Sequence, residues 1–576
     1  MNAVVPQATD AERQYAIGRQ LKARGDLTGA EIAYRAALDL QSRFFDAWLS
    51  LGVLLKQQGR AAEAEACYRK AIDIDPVNHL GTVNLGNLLQ QQGNSAAAAE
   101  CFLAALRLDP GCQEAHVNLG YLLLAEKRRT EAAGHFAAAL SQNPRLFEAA
   151  AGLGEALLDE DNYQDALEPL LVANRLRPDV PEVKLLLGRA LGGAGDYAGA
   201  ARQFEAALNA KPQSRGALYG LATSLVYLGQ FSRPRRLLKQ AVDAAPDNFA
   251  ARFAYATLLL RAGELREGWT HYHARSTLET LAPREFAQPR WQGEDLAGRT
   301  LLIAREQGLG DEIMFASLFA ELIGAARHCI VECDPRLVGL YERSFPQATF
   351  VGVAPGEVLP GDLPPFDCWT RLGDPPGFLR NDRERFPQHA GYLRADESRV
   401  LAWRARLVEQ FGSKPVVGIS WRGGAARTRS GERSLSLEQL QPLLESTEFA
   451  WISLQYGGCA DELEEFRRRS GIEIAHWQYA IDDLDEYAAL VTALSLTLSV
   501  CSAVVHLSGA LGRPAWVMAP LVPEWRYGRE GETMPWYPKV RIFRQEKARE
   551  WRPVIAGVKR QLRRFAAAHG AFAEPS

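Results

Sequence analysis

The feature that most constrains this chain is a 34-residue period in its first half. Take residues 45–78 as one unit, marked by Trp48, Leu51, Gly52, Leu55, Gly59, Ala64, Tyr68, Ala71 and Pro76. One period on stand Leu85, Gly86, Gly93, Ala98, Phe102, Ala105 and Pro110; then come Leu119, Gly120, Ala132, Phe136, Ala139 and Pro144. The register continues through Leu153, Gly154, Ala166, Ala173 and Pro178, and through Leu187, Gly188, Gly195, Ala200, Phe204, Ala207 and Pro212. Backward it reaches Gly18, Gly25, Ala30, Tyr34 and Ala37; forward it runs through Leu221, Gly229, Ala241 and Pro246 and decays near Gly263. Such a unit is a helix, a glycine turn and a second helix. Its small residues let the helices approach, its aromatic ring fills the gap to the next unit, and its proline opens the next turn. A chain with this period stacks helix pairs into a solenoid.

The pattern resembles the tetratricopeptide repeat, with seven full units and a degraded eighth over residues 11–282. That resemblance implies an inner groove that holds an extended peptide or another protein. Asn84 and Asn118 occupy one repeat position and resemble the asparagine ladder with which O-linked N-acetylglucosamine transferase grips its polypeptide substrates. An amide suits that task, because it offers both donor and acceptor to a peptide bond. The same position holds Ser50, Gly152, Leu186 and Gly220 elsewhere, so the ladder is short, and a role as solvated groove residues is an equal alternative.

Composition closes off other classes. Hydrophobic residues make up 47% and charged residues 23%, as in a globular protein rather than a disordered one. The 66 basic and 69 acidic side chains leave a net charge of −3, with no overall drive toward nucleic acid or an anionic membrane; a local basic patch stays open. No apolar run is long enough to span a bilayer. The N-terminus lacks the pattern of a signal peptide, so a reducing cytoplasmic location is expected. The eight cysteines lack the spacing of a disulfide framework or zinc site. His271 with His273, and Cys329 with Cys333, are too sparsely accompanied to hold a metal.

Past residue 282 the character changes, and eleven of the twelve tryptophans follow residue 260. Residues 281–299 read as a connector. Apolar runs at 301–306, 329–334 and 348–353 are expected strands; the first is followed by the glycine turn 307–311 and a helix. A Pro- and Gly-rich stretch, 354–392, reads as loops and short strands. A second α/β unit runs from the strand 415–421 through a polar loop and the strands 451–457, 496–500 and 515–520, the last of these expected to end the sheet. The polar loop carries Arg422, Arg427, Arg429 and Arg433, whose forks suit phosphate or carboxylate oxygens. A solvated flexible loop is the alternative. Aromatic loops (521–528 and 534–538, with Trp525 and Trp536) and an amphipathic helical tail from Lys547 to His569 complete the chain. Two successive α/β units describe two lobes, at residues 283–400 and 401–576, with ligands at the carboxyl ends of their strands.

The glycine turn GLGD before a helix, the SW…RS loop, SLQYG and SVCSAVVHLSGALGRPAWVMAP resemble the glycosyltransferase family that includes bacterial heptosyltransferases. PEWRYG and MPWYPKVRIFRQ resemble the members fused to tetratricopeptide repeats, the bacterial flagellin glycosyltransferases. The resemblance spans residues 290–560. It implies a GT-B fold, a nucleotide-sugar donor as substrate, and no cofactor or catalytic metal. It implies Asp311 as the base that takes the acceptor hydroxyl proton; an Asp capping the helix is the structural alternative. It places Gly308, Gly310, Trp421, Arg422, Arg433, Ser434, Gln455, Cys501, Ser502, His506 and Gly509 around the donor, and His506 as a packed core histidine is the competing reading. Cys501 stands where heptosyltransferases carry Asp, which fits a donor other than ADP-heptose; the flagellin subgroup implies a CMP-activated nonulosonic acid such as pseudaminic acid.

The expectation is a protein O-glycosyltransferase that captures a polypeptide, flagellin for instance, and modifies Ser or Thr. A non-catalytic repeat adaptor with a degenerate transferase lobe is one alternative. A transferase for glycan or lipid-linked acceptors is another. Deleting residues 1–280 is the cut that would separate a repeat-dependent acceptor from a repeat-independent one. Homo-oligomerisation stays open.

Overall fold

A computed structural model of the chain describes residues 9–277, 286–354, 364–423 and 430–570. The expected architecture is present: a helical-repeat solenoid over residues 10–272, then an α/β region with two mainly parallel sheets. From the second unit onward the first helix of each pair begins at Phe45, His79, Gln113, Phe147, Pro181, Arg215 and Phe249, at the sequence period. The chain divides into two compact units, Met1–Gly220 and Leu221–Ser576, so the boundary falls within helix Arg215–Tyr227. The last repeat helices belong to the second unit.

Within the first unit the reason for the repeat glycines is steric. A Cβ on Gly52 would lie 2.6 Å from the Tyr68 ring, one on Gly86 2.7 Å from Phe102, and one on Gly188 2.7 Å from Phe204. The aromatic residue of the second helix therefore covers the glycine of the first. It also meets the following unit, since a Cβ on Gly152 or Gly220 would strike Phe136 or Phe204 at 2.4 Å. The inter-helix turn places its central residue in the left-handed region at Gly25, Gly59, Gly93, Gly195, Gly229 and Gly263. Where the period lacks glycine, Lys127 and Asp161 adopt the same conformation, at φ 64° and 59°.

The first sheet has the order β3-β2-β1-β4, all parallel: β1 (Thr300–Ala304), β2 (His328–Cys333), β3 (Thr349–Gly352) and β4 (Cys368–Arg371). β1 is buried along its whole length, and β2 at every residue but the first, which is why both read as apolar runs. The second sheet has the order β6-β5-β7-β8-β10-β9: β5 (Val416–Ser420), β6 (Ala450–Ser453), β7 (Leu496–Val500), β8 (Ala515–Ala519), β9 (Thr533–Met534) and β10 (Tyr537–Arg544). β8 does not end it. β10 pairs parallel to β8, and the short β9 pairs antiparallel to β10. Residues 534–538, expected to be an aromatic loop, thus hold the start of a strand. Pro538 and the exposed Lys539 disguise it, while Val540 and Ile542 are buried.

Helix Arg552–Gly570 packs Val554, Ile555, Val558 and Leu562 into the core under the second sheet. Among the described residues, no helix is long and apolar enough to cross a membrane.

Candidate functional site

The carboxyl ends of the two sheets face a cleft of 620 Å³. From the first sheet's side it is lined by Leu309 and Arg336. From the second come Ser420 at the end of β5, Arg422 and Gly423 just after it, residues 454–458 after β6, and Ser502, Ala503 and Val504 after β7. Loops at strand carboxyl ends are where α/β sheets bind ligands.

Gln455 organises the second wall. Its buried amide oxygen accepts from Ser420 Oγ (3.3 Å), Trp421 N (3.0 Å) and Arg422 N (2.8 Å), and its nitrogen donates to the Tyr456 carbonyl at 2.9 Å. One side chain thus ties the loop after β5 to the loop after β6. Trp421 is fully buried, with its indole N–H donated to Glu462 at 2.8 Å, so it supports the wall from behind. Arg422 reaches the cleft and bonds the Gly458 carbonyl at 3.0 Å. Ser434 accepts from Gly423 N at 3.2 Å, closing the base of the polar loop. Arg427 and Arg429 lie outside the described residues.

Cys501 is buried, and its carbonyl oxygen would lie 2.6 Å from a Cβ on Gly423. Glycine at 423 is what lets the β5 loop close over the β7 loop. Ser502 lines the cleft with Oγ 2.9 Å from Ser499 Oγ.

Asp311 does not cap its helix. Gly308 is the cap residue of helix Leu309–Phe315, and Asp311 lies in the first turn, half-buried, paired with Arg526. Burial pushes the Asp311 carboxyl above the usual aspartate range, against the opposing pull of Arg526. A Cβ on Gly310 would lie 3.2 Å from the His506 side chain and 3.6 Å from the Ala503 backbone, so helix Leu309–Phe315 crosses helix Ala503–Ala510 at close range there. That crossing sets the Asp311 turn against Ala503, the first residue of helix Ala503–Ala510. Around Gly308 a Cβ would meet nothing within 4 Å.

Three residues grouped around the donor by resemblance have supporting places instead. His506 is buried, with Nδ1 3.2 Å from the Tyr537 hydroxyl and Nε2 3.5 Å from that of Tyr527. Burial, with Arg526 nearby, drives its pKa far below the normal histidine value, so it is a neutral core residue and does not line the cleft. Gly509 lies under Tyr537, whose ring would be 2.3 Å from a Cβ there. Arg433 is buried and paired with Glu524. All three are held by long-range contacts that their own motif does not announce.

Sequence reasoning missed the partners that organise the site. Arg526 and Tyr527 hold Asp311 and His506; Tyr456, two-thirds exposed, and Arg336, bonded to Asp334 through Nε at 2.8 Å and through the NH2 nitrogen at 2.9 Å, line the cleft. It also missed what the last repeat does. Tyr272 bonds the side chain of Gln307, whose Oε1 is 3.3 Å from its hydroxyl and which occupies φ 65° in the glycine turn. Arg275 is buried and bonds Glu306 through Nε at 3.1 Å and Asp374 at 2.9 Å. Trp269 donates to the Arg380 carbonyl at 2.9 Å, and Arg261 to that of Pro523 at 3.1 Å. The turn carrying Asp311 is therefore braced by residues that the period assigns to a repeat. A cut after residue 280 would remove these braces, and does not test the acceptor cleanly.

In the first unit, Asn84 donates to the Leu80 carbonyl of its own helix at 2.9 Å. Asn118 donates to Asn87 at 2.6 Å, which donates to Glu114 at 2.8 Å. The two asparagines are not bonded to each other; Asn87 is the member that links successive units.

One tetratricopeptide-repeat family model matches residues 15–79, 83–145, 185–225 and 219–267, and a second matches 123–190. The N-terminal region is accordingly built of tetratricopeptide repeats. Protein FlbA of Caulobacter vibrioides is 34% identical over 323 residues, which cover 53% of this chain and 53% of that protein. The chain thus spans about half the length of the curated relative it matches. Among solved structures, YrrB, described as a TPR protein with an unusual peptide-binding site, aligns at 24% identity and TM-score 0.31 over 32% of this chain and 96% of its own. PilF of Pseudomonas aeruginosa aligns at 22% identity and TM-score 0.33, over 37% and 96%.

Proposed function

We propose that the chain is a cytoplasmic glycosyltransferase of GT-B type. In this reading the repeats capture a polypeptide acceptor, flagellin for instance, and the cleft transfers a sugar from a nucleotide-sugar to Ser or Thr. The observation that carries it is the helix crossing at Gly310. It holds a half-buried carboxylate with a raised pKa in the same turn as Leu309, which lines a cleft formed where two mainly parallel sheets end.

The chemistry follows from those parts. Arg422 and Arg336 offer guanidinium groups to the phosphate or carboxylate oxygens of a donor, and Tyr456 offers a ring face to its base or sugar. The acceptor hydroxyl attacks the anomeric carbon as Asp311 takes its proton, and the nucleotide leaves with the bonding pair. No step requires a metal. Arg526 holds the carboxylate in place before the acceptor arrives, and the Asp311 oxygen it occupies has to be released or shared for proton transfer. A raised pKa brings Asp311 nearer to neutrality, where a general base works best.

The same Asp311–Arg526 pair favours a second reading, a non-catalytic adaptor in which the carboxylate is permanently neutralised. Nucleotide-sugars activated by CMP, UDP, GDP and ADP, offered to folded protein in a thermal-shift assay, divide the two. A selective shift supports the transferase and identifies the nucleotide. No shift with any donor, alone or with acceptor present, supports the adaptor.

A further inference from the structure

We propose that His79, Asp109 and Cys112 form a binding site for one divalent transition-metal ion of the Zn²⁺ type, in the repeat unit and separate from the cleft. His79 is the first residue of helix His79–Gln91. Asp109 ends helix Ser95–Leu108, and Cys112 stands at the N-cap of helix Gln113–Ala125. One ligand atom from each lies within 4.8 Å of the other two. Histidine nitrogen, carboxylate oxygen and thiolate sulfur together are a donor set that suits zinc.

The spacing has a specific reading. His79 Nδ1 and Asp109 Oδ2 are 3.6 Å apart, too far for a hydrogen bond. Ligands bound at about 2.1 Å around a tetrahedral ion stand roughly 3.4 Å from one another. The gap is therefore close to the edge of a coordination tetrahedron. Asp109 is already oriented for this, because Oδ1 accepts from Gly111 N at 3.0 Å and leaves Oδ2 toward the histidine. Bonds of this kind to the outer oxygen fix metal-bound carboxylates. The turn is closed by Cys112 N donating to the Asp109 carbonyl at 3.1 Å. Burial raises the Cys112 pKa, but the backbone N–H groups of Glu114 and Ala115 favour the thiolate. An arriving ion would displace the thiol proton to solvent, one per ion. His79 and Asp109 are each only half-buried, which leaves a fourth position to water.

The period supplies the control. The same three positions hold Phe45, Asp75 and Asn78 one unit earlier, and Gln113, Asn143 and Leu146 one unit later. In that later unit the Asn143 amide simply reaches Gln113 at 3.4 Å. The next two sets are Phe147, Arg177 and Val180, then Pro181, Lys211 and Ser214. The repeat geometry brings the first two positions together in successive units, whereas among these five sets one alone supplies three metal-binding side chains. Because Leu146 and Val180 fill the slot of Cys112, that thiol could otherwise be read as a small core residue.

Co²⁺ is the probe, titrated into full-length protein stripped by a chelator. The expected result is one Co²⁺ per chain, a thiolate-to-metal charge-transfer band with tetrahedral visible bands, and their loss when Zn²⁺ is added. The band should vanish in Cys112→Val, a change that neighbouring units tolerate. In His79→Gln the affinity should fall 10-fold or more, while the helical circular dichroism of both variants stays unchanged. No charge-transfer band in the native chain, or a band that survives in Cys112→Val, overturns the site. This outcome is independent of any donor or acceptor, so it leaves the transferase reading untouched.

Discussion

In the repeat unit each packing aromatic ring lies a fixed distance along the chain from the glycine it covers, as Tyr68 does from Gly52 and Phe102 from Gly86. In the α/β unit the decisive contacts have no such rule: Asp311 meets an arginine 215 residues away, and Arg261 a carbonyl 262 residues away. Local, periodic contacts are written into a sequence, because the same side chains must recur wherever the geometry recurs. Long-range contacts are fixed only when the whole sheet order closes. The repeat unit should therefore absorb a local change locally, while the second unit should respond to one as a whole.

Truncation should divide the two most sharply. A chain starting at Ser214 retains helix Arg215–Tyr227 and everything that braces the glycine turn, and it should fold with a cooperative thermal transition. A chain starting at residue 278 loses Trp269, Tyr272 and Arg275, leaving Glu306 buried without its cation. Removing one partner of a buried ion pair costs about 3–5 kcal/mol, a large share of a domain's stability. That shorter chain should be insoluble or lack a transition, as read by expression and calorimetry. If both fold equally, the brace is decorative.

Chemistry comes next in size. Asp311→Asn should lower transfer by about 100- to 10,000-fold, the range for a general base, with nucleotide binding retained. If Asp311 is the proposed base, the native chain's transfer rate should rise with pH through the carboxyl's titration, at a midpoint above that of an ordinary aspartate because burial raises it. Unchanged transfer in Asp311→Asn would remove the proposed base.

Glycine substitutions compare the two regions with one kind of change. Gly59 adopts φ 78° in a repeat turn with nothing within 4 Å of a Cβ, so Gly59→Ala carries only backbone strain, about 1 kcal/mol. Gly512 adopts φ 66°, and a Cβ there would lie 1.5 Å from the Ala390 carbonyl oxygen. Gly512→Ala must force two loops apart and should destabilise by roughly 3 kcal/mol or more. Urea midpoints of the two variants measure the contrast; equal costs would mean that the second unit relaxes as readily as a repeat turn.

The same division explains what the sequence revealed. The solenoid was legible because its period is stated seven times, and β1, β2, β5 and β7 because strands buried on both faces are unbroken apolar runs. β10 was hidden by Pro538 and by the polar residues alternating with Val540 and Ile542. Of the site, Asp311, Arg422, Gln455 and Ser502 lay in recognisable turns; Arg422, Gln455 and Ser502 line one cleft, and the Asp311 turn reaches it through Leu309. Arg526, Tyr456 and Tyr272 sat in segments that read as an aromatic loop, a strand and a repeat helix. No local pattern distinguishes a tyrosine that fills a core from one that bonds the turn beside a carboxylate.

A pH titration of stability probes the buried side of that turn. Burial raises the Glu312 carboxyl to about 7 from 4.5 even though Arg305 is bonded to it. The folded state then binds an extra proton between those two values. Its stability should be fully present below pH 4.5 as far as this group is concerned, and should fall as pH rises toward 7. The Glu312 contribution to that slope is on the order of 2 kcal/mol, and Glu312→Gln should remove it. Urea midpoints of both proteins at pH 5 and pH 8 decide it, and identical slopes would place the proton elsewhere.

The smallest expected effect tests the repeat rule where its sequence signal fails. Lys127 and Asp161 occupy the left-handed turn position that glycine fills in the neighbouring units. A side chain there costs about 1 kcal/mol of backbone strain, while glycine adds somewhat less in unfolded-chain entropy. Lys127→Gly should therefore stabilise the first unit by a few tenths of a kcal/mol, a shift of one or two degrees in its thermal midpoint. Asp161→Gly should gain less, because it also removes the carboxylate that accepts from Tyr163 at 2.5 Å. If Lys127→Gly destabilises instead, the turn is held by more than its backbone, and the period describes sequence rather than energy at that position.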